Sequence, residues 1–230
     1  MGEYYDLVNV DKREFLEPGD FGDAIKYGQI QYRACKTLYA LRELLSKEWR
    51  GDRIVYLGDE PDVKRNHPEK APELFKTFLD QTEEHGGPRS VSYIYDMIID
   101  LYRNVSCLFK GTEEVVREEV SYYLQDLEEE SEYAINEYKI DPSDPFAGMF
   151  RREGKQDGYI VNYTKKICYA LDVTRILSAD GTVCDWVDPV SLLLCFGRTG
   201  GEGAWLGDRI GVEDDIPSGF VLLEELKLDR

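Results

Sequence analysis

One run of the chain, Gly197-Arg198-Thr199-Gly200-Gly201-Glu202-Gly203, places four glycines in seven residues. Consecutive backbone N–H groups in such a run can wrap an oxyanion, and Arg198 would add a charged donor. The order does not match a nucleotide loop: no Gly-Lys-Ser/Thr follows, and the run leads to Trp205 instead of a helix. It reads first as a hairpin loop and second as a ligand loop, with Arg198, Gly200 and Gly201 as its contacts. The other candidate anion ligands are Arg53 and Arg209. Each stands in a copy of one pattern, Trp49-Arg50-Gly51-Asp52-Arg53-Ile54 and Trp205-Leu206-Gly207-Asp208-Arg209-Ile210. Asp–Arg at a strand start reads first as a turn-and-pair element. If the two copies converge on a groove, their guanidiniums would hold an anion, or their carboxylates a cation.

Other chemistries find less support. His67 and His85 have no Cys or His at ligand spacing, so no transition-metal site is expected. Glu213-Asp214-Asp215 and Gly58-Asp59-Glu60 lack the alternating carboxylates of a calcium loop. No Gly-x-Ser-x-Gly occurs. Five cysteines, at 35, 107, 168, 184 and 195, form no Cys-x-x-Cys and are odd in number, which argues against a disulfide scaffold. Cys107 and Cys195 lie in apolar runs and read as buried, inert thiols. No cofactor and no catalytic group is therefore assigned, and the reading leans away from an enzyme.

The charge balance bears on partners. The 230 residues hold 28 Lys+Arg against 46 Asp+Glu, a net charge of −18. That excess repels phosphate backbones and anionic membrane surfaces, so direct nucleic-acid and membrane binding are not expected. No apolar run approaches a membrane span, and the first residues resemble neither a signal peptide nor a myristoylation signal, so a cytoplasmic protein is expected. Residues 112–141 carry eleven acids against Arg117 and Lys139, half of the whole excess. Such a segment reads first as a solvated helix face and second as a surface that steers a basic partner. Glu128, Glu129 and Glu130, beside Tyr122 and Tyr123, are the candidate partner contacts, in a chain with sixteen tyrosines. The leading expectation is a non-enzymatic acidic interaction protein, such as an inhibitor, immunity-like or regulatory factor, that binds a basic protein. The alternative is a protein or enzyme that binds an anionic small molecule or nucleotide through the Gly197–Gly203 loop. Mimicry of nucleic acid by the acidic face is a third possibility.

An internal repeat must position these residues. Val8-Asn9-Val10-Asp11-Lys12-Arg13 and Val161-Asn162-Tyr163-Thr164-Lys165-Lys166 share Val-Asn-x-x-Lys followed by a basic residue. Forty residues separate Asn9 from Trp49 and forty-three separate Asn162 from Trp205. Three tryptophans in the chain make this coincidence informative, and 3–61 and 157–217 read as versions of one unit. Each unit is expected to run as hairpin, helix, strand. The hairpins are Tyr4–Val10 with Glu14–Leu16 and Gly158–Tyr163 with Ile167–Leu171. In copy one, Ile30, Ala34, Leu38, Leu41 and Leu45 mark one helix face. In copy two, Asp188-Pro189 should start a helix over Val190–Phe196. The closing strands are Arg53–Leu57 and Arg209–Val212. The fold class is α+β: two pseudo-symmetric hairpin–helix–strand units sharing a core, with a helical insert. The domain bounds are 1–61, the insert 62–156, and 157–230, together forming one compact domain. In the insert, Ala71-Pro72 opens a helix closed by His85-Gly86-Gly87-Pro88, residues 90–110 favour a helix over a strand, and Gly111-Thr112 opens the acidic helix.

In these two motif pairs, and in the Gly-rich stretch before Trp205, the chain resembles a loose group of uncharacterised, mostly bacterial, small acidic proteins. The resemblance covers 3–61 and 157–217. It implies duplication and carries no activity or site residue with it.

Overall fold

The computed structural model describes residues 3–59, 71–109 and 154–228, apart from residues 24, 25, 28, 29, 32, 34, 156 and 185. The expected acidic helix, with Tyr122, Tyr123, Glu128, Glu129 and Glu130, lies outside the described residues. The architecture is α+β. In chain order the first part runs β1 (Tyr5–Asn9), β2 (Glu14–Leu16), α1 (Lys36–Ser46), β3 (Asp52–Gly58), α2 (Pro72–Glu84), α3 (Ile94–Leu101) and β4 (Arg103–Asn104). The second runs β5 (Tyr159–Asn162), β6 (Ile167–Tyr169), β7 (Arg175–Leu177), α4 (Val190–Leu193), β8 (Cys195–Gly197), β9 (Gly201–Glu202), β10 (Arg209–Glu213), β11 (Val221–Leu222) and β12 (Glu225–Lys227). Among the described residues, no helix is long and apolar enough to cross a membrane.

Ten strands form one mixed sheet with the order β11-β6-β5-β10-β3-β1-β2-β4, to which β8 and β9 attach beside β3. β7 and β12 make a separate two-stranded sheet. The two hairpins have matching registers. Asn9 faces Glu14 and Ile54, and Asn162 faces Ile167 and Ile210. Val8 and Val161 stand opposite Phe15 and Cys168. At the centre, β3 and β10 run antiparallel with Arg53 opposite Arg209.

The Val-Asn-x-x-Lys motif has a local reason. In each hairpin the Asn Oδ1 accepts the N–H of the Lys three residues on, Lys12 or Lys165, at 2.9 Å. This side-chain cap stands in for a backbone turn bond. The residue after each Lys, Arg13 at φ 56° or Lys166 at φ 55°, takes the left-handed conformation that returns the chain. Gly51 and Gly207, both at φ 81°, make the matching bend before each closing strand.

β3 is apolar on both faces because both are covered. Ile54 and Tyr56 join α1, Trp49, Trp205, Val190 and Leu194 in one core, and Val55 and Leu57 join Phe75, Phe78 and Met97 of α2 and α3 in a second. A side chain of this size gains about 1.5–3 kcal/mol from full burial, so the two layers fix strand register strongly. Trp49 is fully buried and Trp205 nearly so. Trp49 Nε1–H also donates to Glu14 Oε2 at 2.7 Å.

Two helix expectations need correction. The periodicity from Ile30 implied an early start, yet α1 begins at Lys36, although Ile30 is buried in the same core. Asp23 sets this start: its Oδ2 accepts the Thr37 N–H and the Thr37 hydroxyl, each at 2.7 Å. In the second half the helix ends at Leu193, and Cys195–Gly197 are strand. Tyr56 and Leu57 offer an open backbone edge there, and pairing with Cys195 and Phe196 overrides the helical pattern. The reading of 90–110 also changes: a 3₁₀ turn at Val91–Tyr93 leads into α3, which stops at Leu101, and β4 follows.

Candidate functional site

The two Asn-capped hairpin turns and the two closing strands meet at the centre of the sheet. Asn9 Nδ2 donates to Asp52 Oδ2 at 2.9 Å, and Asn162 Nδ2 to Asp208 Oδ2 at 2.7 Å. Lys12 pairs with Asp52 at 3.6 Å, and Lys165 pairs with Asp208. These bonds tie each turn to its own closing strand, so Asp52 and Asp208 are spent on the frame and do not form a cation site. Among the described residues no group of three His, Cys, Asp or Glu could hold a metal ion.

The arginines differ between the halves. Arg53 grips Asp11, through Nε to Oδ1 and backbone N–H to Oδ2, both at 2.9 Å, and reaches Thr77 Oγ1 at 3.4 Å. Thr164 takes the place of Asp11 in the second hairpin and accepts only the Arg209 backbone N–H, at 2.9 Å. The Arg209 side chain instead crosses to the first half, with Nη1 donating to Gly51 O at 2.9 Å and to Asp11 Oδ2 at 3.3 Å. One carboxylate thus serves both guanidiniums. Burial pushes the Asp11 carboxyl up, but the bonds and charge of Arg53, with the charge of Arg209, outweigh it and hold it below the usual range.

Beside Arg209 lies an open groove of about 390 Å³ lined by Arg50, Gly51, Tyr163 and Arg209. Arg50 Nε donates to the Tyr163 hydroxyl at 3.2 Å and Nη2 to Glu213 Oε2 at 2.8 Å. The Tyr163 hydroxyl donates to the other oxygen, Glu213 Oε1. Burial, then the bond to Glu213, raises the Tyr163 phenol above its ordinary value, so it stays a neutral donor. The tyrosine fits because residue 211 is glycine: a Cβ there would stand 2.7 Å from the Tyr163 oxygen. Some donors of the groove have no acceptor among the described residues. No described residue takes Nε or Nη2 of Arg209, or Nη1 of Arg50. Both arginine side chains are 54% exposed.

Of the residues singled out in the sequence, Arg53 and Arg209 come together as cross-strand neighbours, and only Arg209 lines the groove. Arg198, Gly200 and Gly201 do not join them. They belong to the β8–β9 hairpin, whose register pairs Gly197 with Gly201. That hairpin borders Tyr56 and Leu57, near the far end of β3 from Arg53, roughly 10–13 Å along the strand. Its backbone does hold an anion, but the anion is Glu3 of the same chain: the N–H groups of Arg198 and Thr199 donate to Glu3 Oε1 and Oε2, each at 2.7 Å.

Sequence reasoning missed Arg50, Tyr163, Gly211 and Glu213. Set against the other segment that carries the same motifs, Leu206 stands where Arg50 does, Val10 for Tyr163, and Val55 for Gly211, and no local signal singles these positions out. No protein-family model, no curated protein and no solved structure matches this chain.

Proposed function

We propose that this is a binding protein whose groove seats an anionic group of a small ligand between Arg50 and Arg209, against Tyr163. The reading treats 3–61 and 157–217 as copies of one unit that have diverged around the groove. The observation that carries it is the pair of half-exposed guanidiniums with open donors on one tyrosine-lined groove. Arginine's planar fork suits carboxylate and phosphate, and an aromatic wall adds contact area. Titration with inorganic phosphate, followed through the Arg Nε–H resonances, tests it. Saturable shifts at Arg50 and Arg209, lost in Arg209→Ala, are expected; unmoved resonances at tens of millimolar phosphate would refute the assignment.

A second reading concerns the 112–141 segment, and the eleven acids counted there favour it. In that reading the protein is a non-enzymatic regulatory or inhibitory factor, and the segment docks a basic protein partner through Glu128, Glu129, Glu130, Tyr122 and Tyr123. Binding would weaken steeply with salt and with replacement of the three glutamates by lysine. Binding undiminished by that charge reversal counts against it. A cytoplasmic setting goes with either reading, since all five cysteines are free thiols.

A further inference from the structure

We propose that the Gly197–Gly203 hairpin is a binding site for a small carboxylate, that Glu3 occupies it as a built-in competitor, and that a free short-chain carboxylic acid can displace Glu3. The site is separate from the arginine groove. Its donors match a planar carboxylate: Arg198 N–H reaches Oε1 and Thr199 N–H reaches Oε2, each at 2.7 Å. The Tyr5 hydroxyl donates to Oε2 at 2.7 Å and itself accepts the Gly200 N–H at 3.0 Å. Charge-assisted bonds of this length are the strong ones, and Glu3 is 6% exposed. The surrounding glycines are cut to the guest. A Cβ on Gly58 would collide with Glu3 Oε1, and one on Gly197 would lie 2.7 Å from it.

Three observations separate this nest from an ordinary structural anchor. The tip of the hairpin has no counterpart in the first half, which passes from Leu45 to Trp49 directly, while the second runs from Cys195 to Ala204 before Trp205, and both tryptophans sit in the same core. The guest comes from outside the strand that delivers it, because β1 begins at Tyr5. Beside the nest a polar group is unspent. Tyr56 is fully buried, its ring centroid is 4.7 Å from that of Tyr5, and its hydroxyl has no hydrogen-bond partner among the described residues.

A tethered guest acts at an effective concentration of about millimolar or more, so a free carboxylate meets strong competition in the natural chain. Removing the tethered carboxylate should unmask the site. Acetate is titrated into the natural chain, Glu3→Ala and Glu3→Gln, with sodium chloride as ionic-strength control and inorganic phosphate as a tetrahedral probe. The backbone N–H resonances of Arg198, Thr199 and Gly200 report binding. The expected result is saturable movement of these resonances with acetate, at least ~10-fold tighter in Glu3→Ala than in the natural chain. Phosphate should bind more weakly than acetate. If Glu3→Ala does not fold, Glu3→Gln carries the same comparison, since its neutral amide is a poorer guest. Acetate affinity equal in variant and natural chain, or amides that respond no differently to acetate and chloride, overturns the proposal.

Discussion

Asp6 is a carboxyl whose charge the fold opposes, which makes it a sharp test of the buried layers. It is 4% exposed on β1, and Tyr95 of α3 donates to its Oδ2 at 2.8 Å. Burial pushes its carboxyl up to about 7; the Tyr95 bond pulls the other way, and the nearby charges of Asp20 and Asp59 add to the rise. The sign follows from proton linkage. From about pH 4 to pH 7 the folded chain keeps a proton that the unfolded chain has released, so stability falls as pH rises through that window. A rise of roughly three units corresponds to about 4 kcal/mol, lost progressively and fully absent above pH 7. Asp6→Asn cannot ionise, and its amide oxygen still accepts from Tyr95. At pH 5 the unfolded carboxyl has already released its proton while the folded one has not, so the variant should lead the natural chain by only about 1–2 kcal/mol. At pH 8 it should be more stable by several kcal/mol, raising Tm by about 10 °C in a chain of this size. Urea unfolding at both pH values, followed by tryptophan fluorescence, measures the double difference and cancels the opposite contribution of depressed carboxyls such as Asp11. If Asp6→Asn loses stability equally at pH 5 and pH 8, Asp6 is ionised in the fold and the burial argument fails.

Further substitutions probe the frame. Gly51→Ala and Gly207→Ala impose the same strain, since both residues sit at φ 81°, but only at 207 would the new Cβ meet Ala71 Cβ, at 2.7 Å. Thermal melts should show a cost of about 1–2 kcal/mol at 51 and a clearly larger one at 207; equal costs would show that α2 moves aside. Arg42→Met should cost about 3–5 kcal/mol in chemical denaturation, because it strands the Asp188 carboxylate, now held by Arg42 Nη2 at 2.8 Å and the Tyr169 hydroxyl at 3.0 Å with both ion-pair side chains buried. Arg42→Met/Asp188→Leu should cost less than Arg42→Met alone, and a larger cost in the double variant would refute the desolvation argument.

Local chemistry made much of the frame legible. The β-branched and aromatic runs at Tyr5–Asn9, Asp52–Gly58, Tyr159–Asn162 and Arg209–Glu213 became strands, and α2 falls between Pro72 and Gly86. Partners distant in sequence decided the rest. The start of α1 depends on Asp23 reaching Thr37, and the end of α4 on an open edge at Tyr56 and Leu57. The glycine loop announced an anion through its composition. Nothing local could say that the anion belongs to Glu3, since a hydrogen bond to Thr199 spans 196 positions.

The same contrast locates the groove. Positions that the two motif-bearing segments share, Asn9 with Asn162, Asp52 with Asp208 and Gly51 with Gly207, carry bonds or bends in both halves. Disagreement falls elsewhere. Asp11 against Thr164 frees the Arg209 guanidinium from its own hairpin, and it then crosses to the carbonyl of Gly51. Val55 against Gly211 opens the space that Tyr163 fills, and Leu206 against Arg50 supplies the second cation. Each change removes a frame contact or adds a polar group at the surface, and neither helps a core pack. These three differences lie close to the contact between β3 and β10. The groove these differences shape holds two half-exposed guanidiniums beside Tyr163, and it is the first place to test for a bound anion.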